Sequence, residues 1–163
     1  MEEGKECLTM KIEDPDFECN ITAVVGFVSP ENQPNNFLMQ HNAKKNGWDI
    51  PGGHCDEGES PKEAFIREAF EETNAIIIPE ACHEIARLDF ENGTGIAVFD
   101  AQCQDGNFSP INQVESDGGI DEVLTFSMHE AVELYFGNKE LFGSLIKIVI
   151  DSHQMRKGST TTA

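Results

Sequence analysis

One short segment, residues 53–75, constrains the fold of this chain more than any other part of its sequence. Ser60 is a favourable N-cap, Pro61 suits the first helical position, and Glu63 completes a capping box. A helix is therefore predicted from Pro61 to about Thr73. Its apolar residues gather on one face, which is predicted to be core: Phe65, Ile66, Ala69 and Phe70.

Three carboxylates are predicted on the opposite face of this helix, at positions i, i+3 and i+4: Glu68, Glu71 and Glu72. Like charges at this spacing repel each other, and the helix dipole disfavours negative charge near the C-terminus. A sequence that accepts such a cost commonly does so at a functional site. Divalent cations would turn the repulsion into attraction, and oxygen-only ligands indicate Mg²⁺ or Mn²⁺ rather than zinc. Taken alone, however, an E-x-x-E-E pattern is better explained as a solvated helix face.

The net charge of the chain is −19 at pH 7, from 30 acidic and 11 basic residues. Such a charge argues against binding to a nucleic acid polymer or to an anionic membrane, since both need lysine and arginine. It would also repel a phosphate substrate unless cations intervene. Phosphate chemistry on this chain would therefore require bound metal, although most of the acidic residues are expected to form a solvated surface.

The five cysteines stand singly, at positions 7, 19, 55, 82 and 103. Without a C-x-x-C pair, they argue against a disulfide framework and against a structural zinc site. No stretch approaches the roughly 20 apolar residues of a membrane helix, and the N-terminus lacks a signal-peptide pattern, so a cytoplasmic protein is expected. One domain is predicted over residues 1–155, followed by a flexible tail at 156–163.

The other elements are predicted from hydrophobic patterns and turn residues. Strands are expected at 6–13, 17–29, 37–40, 75–78, 83–90, 96–103 and 121–126, with the strand at 37–40 paired back on the one before it. Asn92-Gly93 is predicted to form a hairpin turn, residues 104–119 a long loop, and residues 128–136 and 138–155 helices. Mixed strands with one central and one C-terminal helix indicate an α/β sandwich.

The segment at 53–75 resembles the Nudix box, G-x5-E-x7-R-E-U-x-E-E-x-G-U, where U is a bulky aliphatic residue. The matching residues are Gly53, Glu59, Arg67, Glu68, Glu71 and Glu72. Six defined positions at fixed spacing make a chance match improbable. The sequence departs from the pattern at Ala69 and Ala75, where larger aliphatics are usual, and at Asn74, which replaces the final glycine. Asparagine tolerates the left-handed conformation wanted there best after glycine.

The resemblance implies a Nudix-type α/β/α sandwich with a mixed β-sheet, a loop–helix catalytic motif and a C-terminal helix. It implies a hydrolase that cleaves a diphosphate linkage in a nucleoside diphosphate joined to another moiety, by water attack on phosphorus with Mg²⁺ or Mn²⁺. The substrate would be a small nucleotide, such as a nucleoside triphosphate or a nucleotide sugar. The alternative is a catalytically inactive domain that binds a nucleotide as a sensor. A homodimer is left open, because nothing in the sequence signals one.

Roles for individual residues are also carried over from the family. Glu68, Glu71 and Glu72 would bind the metal together with the carbonyl of Gly53. Arg67 would orient these carboxylates through its fork of donors, and Glu59 would support them from outside the coordination sphere. In the family a further carboxylate from the loop before the last strand often assists at the metal, and the candidates here are Glu115 or Asp117, with Asp121 and Glu122 behind them.

Substrate-binding residues are the least constrained part of this prediction. Lys44 and Lys45 form a basic pair that could meet a phosphate tail, and Trp48 could stack on a base. A solvated turn explains the two lysines better, and packing beneath the Gly-Gly turn is the more common role for such a tryptophan. His54 follows that turn and could face the site or only cap the loop.

Overall fold

The structure is a computed structural model that describes residues 9–11, 20–89, 93–110, 119–137 and 139–161. In chain order the elements are β1 (Thr9–Lys11), β2 (Asn20–Pro30), β3 (Asn36–Asn42), β4 (Gly47–Asp49), β5 (Gly52–His54), α1 (Pro61–Thr73), β6 (Ile77–Asp89), β7 (Thr94–Cys103), β8 (Ile120–Ser127), α2 (Met128–Leu134) and α3 (Lys139–Thr161). Among the described residues, no helix has the length and hydrophobicity of a membrane span.

The strands form two sheets. The larger has the order β1-β6-β7-β2-β5 and is mixed, because β2 and β7 run parallel while the other neighbours run antiparallel. The smaller is the antiparallel sheet β4-β3-β8. The predicted pairing of 37–40 with the preceding strand is wrong, since β3 pairs with β4 and β8. Two successive turns, closed at Gln33 and Asn36, carry the chain to the second sheet instead of forming a tight hairpin.

Alternating side chains of the central strands build a core on each side of the sheets. On β2, Val24 and Val28 belong to the cluster that includes Ala64, Phe65 and Ala69 of α1, whereas Phe27 belongs to the cluster that includes Phe142, Leu145 and Val149 of α3. Both faces of β2 are therefore covered by helices, as expected for a central strand with a parallel neighbour. The predicted α/β/α sandwich with a mixed sheet is confirmed.

Several element boundaries differ from those predicted. The strands expected at 75–78 and 83–90 are one strand, β6, whose pairing with β7 is interrupted by two register shifts. Such bulges break the alternation of side chains that marks a strand in a sequence. Helix α2 ends at Leu134, and α3 continues to Thr161, beyond the predicted end at residue 155. Of the predicted turn at 92–93, residue 92 lies outside the described residues.

Helix α1 begins and ends where its capping residues predict. Ser60 Oγ accepts a hydrogen bond from the Glu63 amide at 3.1 Å, and Glu63 Oε1 accepts one from the Ser60 amide at 3.0 Å. At the other end Asn74 is left-handed, with φ of 67°, and its amide donates to the Phe70 carbonyl at 2.9 Å. Asparagine thus takes the conformation that glycine favours at this position.

We expect Ser60→Ala to lower the free energy of unfolding by about 1 kcal/mol, because the Glu63 amide loses its acceptor. Urea denaturation in the presence of a chelator measures this change. Ser127→Ala is the matched control, since Ser127 and Glu130 form the same capping box on α2, away from the acidic residues of α1. The control is expected to destabilise the protein and retain its activity, whereas an unchanged free energy for Ser60→Ala would contradict the role of the cap.

Candidate active site

The site lies where the short strand β5 leads through a loop into α1. Strand β5 pairs with β2 and brings Gly53 beside Val24. A Cβ on Gly53 would stand 2.5 Å from Oε2 of Glu68, so the glycine leaves room for this carboxylate in its observed position. At Gly26, likewise, a Cβ would stand 2.6 Å from Cε1 of the Phe65 ring. These two glycines allow α1 to approach the sheet closely.

The Arg67 guanidinium interacts with four carboxylates, on α1 and in the loop that leads into it. Its Nε and Nη2 donate to the two oxygens of Glu59, at 2.7 and 2.9 Å, in a fork. Its Nη1 donates to Glu68 at 3.1 Å and to Glu71 at 3.3 Å, while Asp56 lies 3.5 Å from Nη2. Nη2 also donates to the carbonyl of His54 at 3.1 Å. The predicted pairing of Arg67 with the acidic residues is therefore present in the structure.

The electrostatics of this cluster follow from those contacts. The hydrogen bonds from Arg67 hold the pKa of Glu59 at about 2, well below its usual value. The pKa of Glu68 is raised, mainly because burial removes its carboxylate from water, although Arg67 opposes this effect. The Glu71 side chain is 40% exposed, against 16% for that of Glu68. Glu59, Glu68 and Glu71 thus all pair with Arg67 but differ in how far they are exposed to water.

Glu72 lies apart from this cluster, turned towards the sheets. Its Oε1 accepts hydrogen bonds from the amide of Gly52 at 3.1 Å and from Nε2 of Gln40 at 3.0 Å. Burial raises its pKa to about 7, and the charges of Glu68 and Asp49 add to the shift. The two hydrogen bonds act in the opposite direction by stabilising the carboxylate. Glu72 is therefore a buried carboxyl group that accepts hydrogen bonds from two donors on the sheets.

The predicted division of α1 into an apolar face and an acidic face is wrong in two respects. The fully buried helix residues are Ala64, Phe65, Ala69 and Thr73. Phe70 is 44% exposed, since it lies about 140° around the helix from Phe65. Glu72, by contrast, lies only about 20° from Phe65 and so shares the inward-facing side. Close spacing along the helix therefore does not place the three glutamates on one solvent-facing side.

Among the described residues, no three His, Cys, Asp or Glu side chains are grouped so that they could hold a metal ion. The contacts explain this, because Arg67 holds Glu68 and Glu71 while Gly52 and Gln40 hold Glu72. The donor set nevertheless fits a hard divalent cation, since the proposed ligands are carboxylate oxygens and one backbone carbonyl. The raised pKa of Glu72 also fits, because a nearby cation would stabilise its charged form. Binding an ion would require Glu68 and Glu71, which now accept hydrogen bonds from Arg67, to reorient.

The other predicted site residues lie in different surroundings. Lys45 Nζ lies 5.2 Å from the ring centre of Phe136, and Lys44 lies against Gly119. Trp48 contacts the rings of His41 and Phe126 and packs against the core cluster that includes Phe142 and Val149 of α3. Hydrogen bonds and ion pairs between described residues do not join these three side chains to the Arg67 cluster.

The acidic residues proposed from the loop before the last strand remain a prediction. Residues 115 and 117 lie outside the described residues. Asp121 and Glu122 lie on β8, where Asp121 accepts a hydrogen bond from the ring of His41 at 2.8 Å and Glu122 is exposed. Asp121 is thus engaged with His41 instead of with the Arg67 cluster.

Two residues that interact with Glu72 were missed by sequence reasoning. Gln40 donates to Glu72, and Asp49 lies close enough to raise the pKa of Glu72. The pKa of Asp49 is itself raised by burial. A glutamine at the end of the apolar run Phe37–Met39 was a usable signal, because a polar residue in a buried strand needs an explanation. The pairing of these residues with Glu72 depends on the tertiary fold.

Comparisons with known proteins agree with this architecture. The model of the NUDIX domain family matches residues 20–143. A pyrophosphohydrolase from Bacillus subtilis superposes with a TM-score of 0.66 at 14% identity, covering 91% of this chain and 90% of that one. A MutT from a study of Aliivibrio salmonicida and Vibrio cholerae gives a TM-score of 0.61 at 17% identity, over 80% and 97% of the two chains.

A third solved structure, an Ap4A hydrolase from C. elegans, gives a TM-score of 0.56 at 17% identity, over 83% of this chain and 98% of that one. No curated protein sequence matches the chain. At these identities the solved structures establish the fold, whereas the family model spans most of the sequence and includes the Arg67 cluster. The chain therefore belongs to the Nudix hydrolase family.

Proposed function

We propose that this protein is a divalent-metal-dependent pyrophosphohydrolase acting on a small nucleotide. It hydrolyses a diphosphate linkage in a nucleoside diphosphate joined to another moiety, as in a nucleoside triphosphate or a nucleotide sugar, by water attack on phosphorus. The observation that carries this proposal is that all three acidic residues of the motif lie at one site on α1. Glu68 and Glu71 accept hydrogen bonds from Arg67, and Glu72 accepts one from the Gly52 amide.

In this proposal Glu68, Glu71 and Glu72 hold Mg²⁺ or Mn²⁺, with the carbonyl of Gly53 as a further ligand. The bound ions would neutralise phosphate charge and lower the pKa of the attacking water. Arg67 keeps Glu68 and Glu71 close together against their mutual repulsion, through hydrogen bonds at 3.1 and 3.3 Å. Glu59 anchors Arg67 in turn through its two oxygens.

The net charge of −19 supports a requirement for metal. A polyphosphate would meet an acidic protein, and the one guanidinium in the cluster is already shared among several carboxylates. Cations bound by these carboxylates would reverse the sign of the local field. We therefore expect metal to be needed for substrate binding as well as for the chemical step.

A panel of nucleotides tests this proposal. Nucleoside triphosphates, nucleotide sugars and dinucleoside polyphosphates would be incubated with the protein in Mg²⁺, in Mn²⁺ or in a chelator, and phosphate, pyrophosphate and nucleotide products measured. We expect turnover of at least one substrate class with metal and its loss in the chelator, with recovery when metal is restored. Isotopic water would identify the phosphorus that is attacked.

The alternative, a catalytically inactive nucleotide sensor, predicts the opposite result. Such a protein would bind one nucleotide tightly in calorimetry and turn over none of the panel. The complete acidic set argues against it, because a binding domain has less need of three potential metal ligands on one helix. Tight binding without turnover in both metals would overturn the enzymatic proposal.

A further inference from the structure

The acidic motif leaves Gln40 unexplained. This residue lies on β3 and is only 6% exposed, directly after three fully buried apolar residues, Phe37, Leu38 and Met39. Burying an amide costs free energy unless its polar atoms find hydrogen-bond partners. An apolar side chain at this position would avoid that cost, so the amide is expected to serve a purpose other than packing.

Only one end of the Gln40 amide is bonded. Nε2 donates to Oε1 of Glu72 at 3.0 Å, whereas Oε1 of Gln40 finds no hydrogen-bond partner among the described residues. This is the orientation that suits Glu72 in the ionised form that binds a cation, because an ionised carboxylate accepts hydrogen bonds and donates none. A buried acceptor without a partner typically costs about 1–3 kcal/mol. The protein therefore retains a costly amide in the orientation that serves Glu72.

The geometry shows what this hydrogen bond does to Glu72. Gly52 donates its amide to the same oxygen, Oε1, at 3.1 Å. The two donors belong to different strands, β3 and β5, so they locate Oε1 relative to both sheets. Neither donor engages Oε2. The carboxylate is thus held by one oxygen, and its second oxygen is left for another partner.

We propose that Gln40 is a positioning residue, which holds Glu72 by Oε1 so that Oε2 is directed to the divalent cation. This inference rests on the proposed function, because it assumes that Glu72 is a metal ligand. Residues that hydrogen-bond to a metal-binding carboxylate orient it, and their loss typically costs about 10–100-fold in metal affinity or activity. Gln40 would act through Glu72 without touching the metal or the substrate.

Gln40→Met tests this role, because methionine has nearly the same length and volume but no hydrogen-bond donor. We expect the dissociation constant for Mn²⁺, measured on the metal-free protein by electron paramagnetic resonance, to rise about 10-fold or more. With saturating metal, kcat is expected to fall by about 10–100-fold, while KM for the nucleotide changes little. The melting temperature in a chelator should stay at or above that of the wild type, since the unpaired acceptor is removed.

Gln102→Met is the matched control, because Gln102 is an exposed glutamine on β7. It is expected to leave Mn²⁺ affinity, kcat and melting temperature unchanged. Wild-type Mn²⁺ affinity in Gln40→Met would overturn the inference. So would a clear loss of melting temperature in the chelator, since that result would assign Gln40 a packing role.

The two proposals fail in different ways in this experiment. A wild-type protein that binds no Mn²⁺ would remove the basis of both. A wild-type protein that binds Mn²⁺ and hydrolyses a nucleotide, alongside a Gln40→Met variant that does both equally well, would overturn only the role of Gln40. Reduced Mn²⁺ binding by the variant at unchanged melting temperature is the result that supports it.

Discussion

Replacing Glu72 with glutamine is expected to lower kcat by at least about 100-fold, because it removes a proposed metal ligand that has fixed hydrogen-bond donors. Glutamine has nearly the same shape and can still accept hydrogen bonds from Gly52 and Gln40 through its carbonyl oxygen. The fold should therefore be retained. Steady-state kinetics with the best substrate of the panel, in saturating Mg²⁺, measures the effect.

The same substitution is expected to stabilise the metal-free protein. Burial raises the pKa of Glu72 from 4.5 to about 7 in the folded state. Protonated Glu72 is therefore favoured by folding, and its contribution to stability is complete below pH 4.5 and lost as pH rises through 7. At 1.36 kcal/mol per unit of pKa, this loss is on the order of 3 kcal/mol at pH 8. Glutamine carries no charge and avoids the loss.

Urea denaturation in a chelator between pH 4.5 and pH 8 tests this expectation. The free energies of unfolding of wild type and Glu72→Gln should diverge in favour of the variant as pH rises. Adding Mn²⁺ at pH 8 should stabilise the wild type more than the variant. Glu80→Gln, an exposed carboxylate on β6, is the control and should change neither kcat nor this pH dependence. Near-normal kcat in Glu72→Gln would refute its role as a ligand.

Arg67→Ala is expected to have the second largest effect. Its guanidinium donates hydrogen bonds to Glu59, Glu68 and Glu71, so its removal leaves like charges close together without a counterion. We expect the metal-free protein to lose on the order of 1.5–3 kcal/mol of stability, in the range measured for hydrogen bonds to charged groups. We also expect kcat to fall by about 10–100-fold, because the carboxylates lose the residue that orients them.

Two other variants help to interpret this result. One tests whether positive charge alone is sufficient at position 67, and the other is a control that removes an arginine elsewhere. Arg67→Lys keeps the positive charge but loses the fork that meets both oxygens of Glu59, and it should lie between wild type and Arg67→Ala in stability and kcat. Arg87→Ala removes an arginine that pairs with Glu84 on β6, and it should retain kcat.

Metal should compensate partly for the loss of Arg67. A cation can neutralise Glu68 and Glu71 in place of the guanidinium, so Mg²⁺ is expected to raise the melting temperature of Arg67→Ala more than that of the wild type. Equal kcat in Arg67→Ala and wild type would show that the arginine does not orient the acidic residues. Thermal unfolding with increasing Mg²⁺, read by circular dichroism, provides the measurement.

Local features of this protein were largely predictable from its sequence. The capping box at Ser60 and Glu63 and the left-handed residue at Asn74 depend on neighbours within a few positions, so they set the ends of α1 without help from the rest of the fold. The spacing of Arg67 from Glu71 likewise predicts contact across one helical turn. The family follows from the same short segment, because its defining residues are close together in the chain.

Long-range arrangements were not predictable in this way. The position of Phe70 depends on where α1 rests against the sheets, and the partner of β3 depends on the two turns after Pro30. Glu72 is held because β3 and β5 both lie against α1. Its partner Gln40, on β3, is 32 residues away in the sequence. Patterns of hydrophobicity report that a residue is buried or exposed but not which distant strand covers it.

The sequence by itself determined the helix α1, its caps and the presence of an acidic set beside Arg67, because each depends on spacing within one element. Only the tertiary structure decided that these acids occupy different environments. Glu68 and Glu71 accept hydrogen bonds from the Arg67 guanidinium, with Glu71 exposed and Glu68 partly buried, whereas Glu72 is desolvated between Gly52 and Gln40. The physical reason is that burial, and the pKa that follows from it, depends on everything packed around a carboxylate and not on its position along the helix.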